Sequence, residues 1–355
     1  MNSAFDEIIG ADETTRAGVF GTTAERLGTT AQNIEKDFWV CWTLDALFNG
    51  RSGGPRLLFK GGTSLSKGFG LIRRFSEDVD VTVFRDDLGQ AYSFEQLQEM
   101  SRKKRDRALD DIKEACEQYI NGDLLERMKT IVADTAARTG IAADHLVIEP
   151  NPDDAQSLLI RYPTAMPTDN YIDKVVKIES GAKSALDPNS IKPIAPYCAA
   201  DIPDLDLTVP NVTVVDAERT FWDKVVILHG LRRWYEISGE LRGGGHRISR
   251  HYYDIHELMG SETGQQAIAN PALGADCVLH ARMFFNRPDY DLASAAPPTF
   301  ALVPEGGMYD ELRRDYAAMT GMILGPPPSF EAVVERVASL QSAINGSSSA
   351  AGMIA

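Results

Sequence analysis

Two carboxylates stand one residue apart in Asp78-Val79-Asp80. From Phe75 to Phe84 the pattern has period two. Phe75, Val79, Val81 and Val83 share one face, and Ser76, Asp78, Asp80 and Thr82 share the other, which is the signature of a half-buried strand. Residues i and i+2 of a strand project side by side, with Cα atoms roughly 7 Å apart. That spacing suits hard divalent cations, since Mg²⁺ takes one or two protein carboxylates together with substrate phosphates. A pair of such ions stabilises the attacking and leaving oxygens of an in-line phosphoryl displacement. An acidic pair on a solvated strand face would look the same in isolation, so the neighbouring residues must decide.

The neighbours supply a phosphate-binding candidate. Gly61-Gly62-Thr63-Ser64 follows the apolar run Leu57-Leu58-Phe59 and precedes a short helical stretch from Thr63 to Phe69. A glycine turn at a helix start offers free backbone N–H groups, and the Thr63 and Ser64 hydroxyls add to them. A plain turn needs the same glycines, but a glycine turn, a helix and then a strand opening on Asp78 and Asp80 make the arrangement that nucleotide transfer requires.

Three further residues carry possible chemistry. Glu179 shares its strand parity with Lys177, and is either a third metal ligand or an exposed strand-end glutamate. Lys224 lies on a helix from Asp216 to Leu231 that is apolar nearly all round, so it either snorkels or serves a site, where it would neutralise triphosphate charge. Asp254, in Arg250-His251-Tyr252-Tyr253-Asp254, either forms an Arg–Asp surface pair or partners Lys224 or a substrate group near it.

Positioning these residues calls for several elements. Ile34 to Phe48, with Phe38, Trp39, Val40, Trp42, Leu44 and Leu47, reads as a buried helix stopped by Asn49-Gly50. A charged, proline-free stretch of about 94–139 reads as an inserted helical segment, and strand patterns return at 146–148, 157–162 and 174–179. Prolines 188, 193, 196, 203 and 210 mark an extended crossing between two lobes, and a second helix spans Arg250 to Met259. The expected division is 1–195 for the first lobe, with the insertion at about 90–140, 196–345 for a helical second lobe, and 346–355 for a disordered tail.

Composition narrows the functional classes. A net charge of −15 excludes a generally basic nucleic-acid binder, leaving only local patches at Arg73-Arg74, at Arg102-Lys103-Lys104-Arg105 with Arg107, and at Arg232, Arg233, Arg242, Arg247 and Arg250. Each patch alone is equally a solvated face. Cys41, Cys116, Cys198 and Cys277 are too dispersed for a zinc site or a disulfide framework. No apolar run reaches membrane-spanning length and the N-terminus has no basic flank leading into one, so a cytoplasmic protein is expected.

Phe59-Lys60-Gly61-Gly62-Thr63-Ser64-Leu65 followed by Arg74-Phe75-Ser76-Glu77-Asp78-Val79-Asp80 closely resembles the AbiEii/AbiGii-type nucleotidyltransferase toxin family. Ile34-Glu35-Lys36-Asp37-Phe38-Trp39-Val40, Val176-Lys177-Ile178-Glu179, Thr220-Phe221-Trp222-Asp223-Lys224 and Arg250-His251-Tyr252-Tyr253-Asp254-Ile255 extend the likeness over about residues 30–260. The resemblance implies an α+β fold, a DNA-polymerase-β-like core with a small mixed sheet followed by a helical domain. It implies a toxin of a toxin–antitoxin or phage-defence pair, some members of which add nucleotides to the acceptor end of tRNA. Carried onto this sequence, Asp78 and Asp80 bind metal, Gly62, Thr63 and Ser64 hold phosphate, Lys224 contacts the nucleotide and Asp254 completes the site. Ser76 occupies a position where some members carry a phosphorylatable serine. The expected activity is transfer of a nucleotide from a nucleoside triphosphate to RNA, with Mg²⁺ or Mn²⁺ as cofactor and a cognate antitoxin as partner. Transfer to a protein target, or an inert interaction protein retaining the fold, are the alternatives.

Overall fold

The computed structural model describes residues 1–166 and 174–346. The chain divides into two compact units, one formed by Met1–Gly70 with Arg74–Val215, the other by Leu71–Arg73 with the chain from Asp216 onward.

The first unit is built on a seven-stranded mixed sheet among the described residues: β1 (Leu57–Lys60), β2 (Asp78–Val83), β3 (Val147–Pro150), β4 (Ser157–Arg161), β5 (Val175–Gly181), β6 (Asn189–Ile194) and β7 (Val209–Val215), in the order β3-β4-β5-β2-β1-β7-β6. β2 lies at the centre, antiparallel to β1 and parallel to β5. Its register sets Asp78 opposite Lys177 and Asp80 opposite Glu179. Alternation buries Val79, Val81 and Val83, as the sequence pattern requires. The polar face is wet only in its first half, because Thr82 is fully buried.

Helices α1 (Ala4–Ile9), α2 (Glu13–Leu27) and α3 (Ala31–Asp45) precede the sheet, and α4 (Gly61–Lys67) joins β1 to β2. α3 starts where the Thr30 side chain accepts from the Asn33 N–H, and passes into a wider turn over Ala46–Gly50. It packs on β2, β5 and β7, and every residue from Asn33 to Asp45 is buried. The expected helical insertion consists of α5 (Phe94–Glu99), α6 (Arg102–Tyr119) and α7 (Leu125–Thr139). α6 is held by Ala108, Ile112, Cys116 and Tyr119, buried at helical spacing.

The proline-rich stretch from 188 to 210 is not a plain crossing. It contains β6 and the start of β7, and an expected boundary at 195 falls inside the first unit. Pro193 is tolerated because β6 is an edge strand paired only with β7, with a register shift between Lys192 and Ile194.

The second unit is helical: α8 (Ala217–Ser238), α9 (Ser249–Met259), α10 (Glu262–Ile268), α11 (Pro271–Phe284), α12 (Gly307–Met319) and α13 (Phe330–Gly346). Asp216 takes the N-cap position of α8 without a side-chain cap bond. Phe221, Leu228, Tyr252, Ile255, Leu258, Val333 and Val337 form its core. All four cysteines are buried and unpaired. Among the described residues, no helix is long and apolar enough to cross a membrane. Apart from Gly346, the expected tail lies outside the described residues.

Candidate active site

The glycine turn and the aspartate strand meet in the first unit, and the two glycines are what let them meet. Gly61 has φ +80°, and a Cβ there would stand 2.1 Å from Asp80 Oδ2. A Cβ on Gly62 would stand 2.3 Å from Arg74 Nη2. Any side chain at either position would displace the Asp80 carboxylate or the buried Arg74 guanidinium.

Thr63 and Ser64 are not presented to a ligand as the sequence suggests. Both are buried. The Thr63 hydroxyl bridges the Ser76 hydroxyl at 2.8 Å and the Asp78 carbonyl at 2.6 Å, and Ser64 Oγ donates to the Gly61 carbonyl at 2.8 Å. These hydroxyls fasten α4 to β2 and close the turn, which leaves the main chain of the turn as its ligand-facing part. Ser76 is half-buried and belongs to the same fastening.

Asp78 and Asp80 stay partly accessible at the start of β2. Burial first, and then the carboxylates of Glu77, Glu179 and Asp80, push the Asp78 pKa up to about 6, with Lys36 pulling it back in part. Lys60 Nζ lies 3.9 Å from Asp80 Oδ1. Glu179 stands opposite Asp80 in the register, and its carboxylate bonds Lys177 Nζ at 2.6 Å. Among the described residues, no three His, Cys, Asp or Glu side chains form a metal-holding group. The same-face parity that recommended Glu179 also places Lys177 beside it, and the lysine takes the carboxylate.

Helix α3 holds this arrangement from behind with three consecutive buried charges, to which the sequence assigned no role at the site. Lys36 Nζ bonds Glu77 Oε2 at 2.6 Å, one residue before Asp78. Asp37 pairs with Lys67 at the end of α4 at 2.6 Å and accepts the Tyr197 N–H at 2.7 Å. Glu35 accepts from the Ala165 N–H at 2.6 Å and the Thr164 hydroxyl at 2.5 Å. Successive residues of one helix thus fix both the strand that carries the aspartates and the helix that follows the glycines. A run of three charges inside an otherwise apolar helix is the signal that could have revealed them, because buried charges need partners.

In the second unit, Lys224 and Asp254 are brought together. Lys224 Nζ lies 2.7 Å from Asp254 Oδ2, joining α8 to α9, and Asp254 is fully buried. This is the partnership weighed for Asp254, in place of a surface pair with Arg250.

A mixed sheet whose central strand presents an aspartate pair next to a glycine-led helix is the core of a nucleotidyltransferase. The family model described as nucleotidyl transferase AbiEii toxin, type IV toxin–antitoxin system, matches residues 42–336, and the chain belongs to that family. It is therefore a nucleotidyltransferase toxin, and its membership implies a nucleotide substrate and an antitoxin partner. Among solved structures it is similar to MenT4, a nucleotidyltransferase toxin from Mycobacterium tuberculosis H37Rv, at 14% identity over 92% of this chain and 98% of that one. The TM-score is 0.41. A search of curated proteins returned no match.

Proposed function

We propose that the enzyme transfers a nucleotide from a nucleoside triphosphate to the 3′ end of RNA, the tRNA acceptor end foremost, and so blocks translation. The observation that carries this reading is the placement of Asp78 and Asp80 on one face of β2 beside the Gly61 turn; burial first, and then the carboxylates of Glu77, Glu179 and Asp80, raise the Asp78 pKa to about 6, so a cation there would relieve unfavourable charge. The donor set fits a hard divalent ion, Mg²⁺ or Mn²⁺: two oxygen-bearing side chains on one strand face, to be completed by substrate phosphates. Asp78 and Asp80 would hold it, and when bound it would offset phosphate charge in the transition state.

The chain's own residues supply the rest. Gly61 lets the Asp80 carboxylate, and Gly62 the Arg74 guanidinium, lie directly against the turn, whose main-chain N–H groups would receive the triphosphate. Thr63 and Ser76 hold that turn at a fixed distance from Asp78. Lys60 adds positive charge next to Asp80. In the second unit, Lys224, held by Asp254, is the lysine proposed to contact the nucleotide. The RNA 3′-oxygen bonds to the α-phosphorus as the bond to the bridging oxygen of pyrophosphate breaks, and the hydroxyl proton leaves to solvent.

The test is incubation with each α- and γ-labelled triphosphate, a divalent cation and total RNA. The α label should appear on RNA, concentrated at 3′ ends. Label from the γ position alone would reject nucleotidyl transfer, and label on protein instead of RNA would reject the acceptor.

A further inference from the structure

Of the three basic patches in the sequence, the one at Arg102–Arg107 has the most exposed cations. Arg74 is buried beneath the glycine turn. In the second unit, Arg232 and Arg233 are tied to Glu236, Glu305 and backbone carbonyls, and Arg242 lies over the Tyr290 ring. The remaining patch opens α6. Arg102, Lys103, Lys104 and Arg107 are exposed and Arg105 is half-exposed. Only Arg102 has an ion-pair partner among the described residues, Asp106 at 3.8 Å.

The patch does not serve its own helix. A helix N-terminus favours anions and its C-terminus cations. α6 is the reverse, with no acidic residue in its first turn, no basic residue in its last, and Glu114 and Glu117 toward its C-terminal end. Ser101, at the N-cap, makes no side-chain cap bond. The helix is held by its buried stripe, while its first two turns carry cations at a cost to helix stability. In a chain of net charge −15, such a concentration calls for an anionic partner.

A second feature adjoins it. A shallow cavity of about 400 Å³ is lined by Tyr92, Gln96, Glu99, Met100, Ser101 and Lys104. It pairs an aromatic ring and a thioether with polar groups, and Lys104 belongs to both cavity and patch. Single-stranded nucleic acid is bound in this way, by cations along the backbone and an aromatic surface for an unstacked base.

We propose that the start of α6 is an accessory RNA-binding surface, in which Lys103, Lys104, Arg105 and Arg107 contact the phosphate backbone of the acceptor RNA and the Tyr92–Met100 cavity takes one unstacked base. This deepens, and rests on, the reading of RNA as acceptor. It separates holding the RNA from reacting with its end.

The test measures binding of fluorescently labelled deacylated tRNA to the full chain by anisotropy between about 50 and 200 mM salt. Lys103→Gln/Lys104→Gln/Arg107→Gln should weaken binding about ten-fold or more at low salt and reduce the slope of log affinity against log salt by about 2 to 3, one phosphate contact per cation. Its thermal midpoint should be unchanged or raised, since cations leave a helix N-terminus. Tyr92→Ala should weaken binding about five- to ten-fold with the salt slope unchanged, as expected for lost stacking. Wild-type affinity and slope in the triple variant would overturn the proposal, as would unchanged tRNA binding together with lost binding to polyglutamate, which would indicate an acidic protein partner. If the wild type labels RNA while the triple variant binds normally, this inference alone fails. If the wild type labels protein and not RNA, the acceptor reading fails.

Discussion

Replacing Asp78 by asparagine removes one charge from the crowded face of β2 while keeping the side chain's shape. In the folded protein the Asp78 pKa is pushed up to about 6 from the ordinary aspartate value of 3.8, by burial first and then by Glu77, Glu179 and Asp80. A raised carboxylate pKa opposes folding once the group must ionise. The penalty is absent below the unfolded-state pKa, grows between the two values, and is complete above about 6. At about 1.4 kcal/mol per unit, the full penalty is at most about 3 kcal/mol. Relaxation and screening at a partly accessible site reduce that to about 1–2 kcal/mol. The metal-free Asp78→Asn variant should therefore melt roughly 3–6 °C above the wild type at pH 7.5, with about half that advantage left at pH 5. Mg²⁺ should raise the midpoint of the wild type and have little effect on the variant, and nucleotide transfer by the variant should fall about a thousand-fold or more. Thermal scans at two pH values, with and without Mg²⁺, decide the matter. A variant less stable than the wild type at pH 7.5, or an advantage that grows as the pH falls, would refute the electrostatic account of this site.

Lys36→Met should destabilise the first unit by about 3–5 kcal/mol, because it removes the cation paired at 2.6 Å with the buried Glu77 carboxylate; urea unfolding should show most of that loss recovered in Lys36→Met/Glu77→Gln, and no recovery would mean that the pair is not what is lost. Lys224→Ala should cost a similar amount by removing the cation 2.7 Å from the fully buried Asp254 carboxylate; an unchanged unfolding midpoint would contradict this. Gly61→Ala should cost about 1–3 kcal/mol from the positive φ and, by pushing the Asp80 carboxylate aside, should lower transfer far more than it lowers stability, as parallel melting and activity assays would show.

The elements governed by one short-range rule were legible in the sequence. Alternation placed Asp78 and Asp80 on the polar face of β2, and parity put Lys177 and Glu179 side by side on β5. The readings that depended on where a distant residue arrives did not emerge. Thr63 and Ser64 look like phosphate ligands until Ser76 and the Asp78 carbonyl are found against them. Parity sets Glu179 on its face of β5, but that its carboxylate bonds Lys177 depends on side-chain conformation, which the pattern does not contain. The five prolines from 188 to 210 concealed an edge strand, since proline is excluded only from the interior of a sheet. The three charges of α3 were visible, but their partners Glu77, Lys67 and Ala165 are set by tertiary packing, which periodicity does not contain.

The parallel pairing of β1 with β7, Phe59 beside Val214, has a consequence for the protein during its own synthesis. β1 leads directly into the glycine turn, yet one of its two neighbouring strands is the last to be made. Until that strand leaves the ribosome, β1 lacks a flank and the turn lacks a fixed base. Pairing so distant in sequence is slow to form, because a long loop must close before any contact repays it. A growing chain thus holds Asp78, Asp80 and the two glycines before β7 exists to flank β1, so the geometry of the turn is completed only after residue 215 has been made.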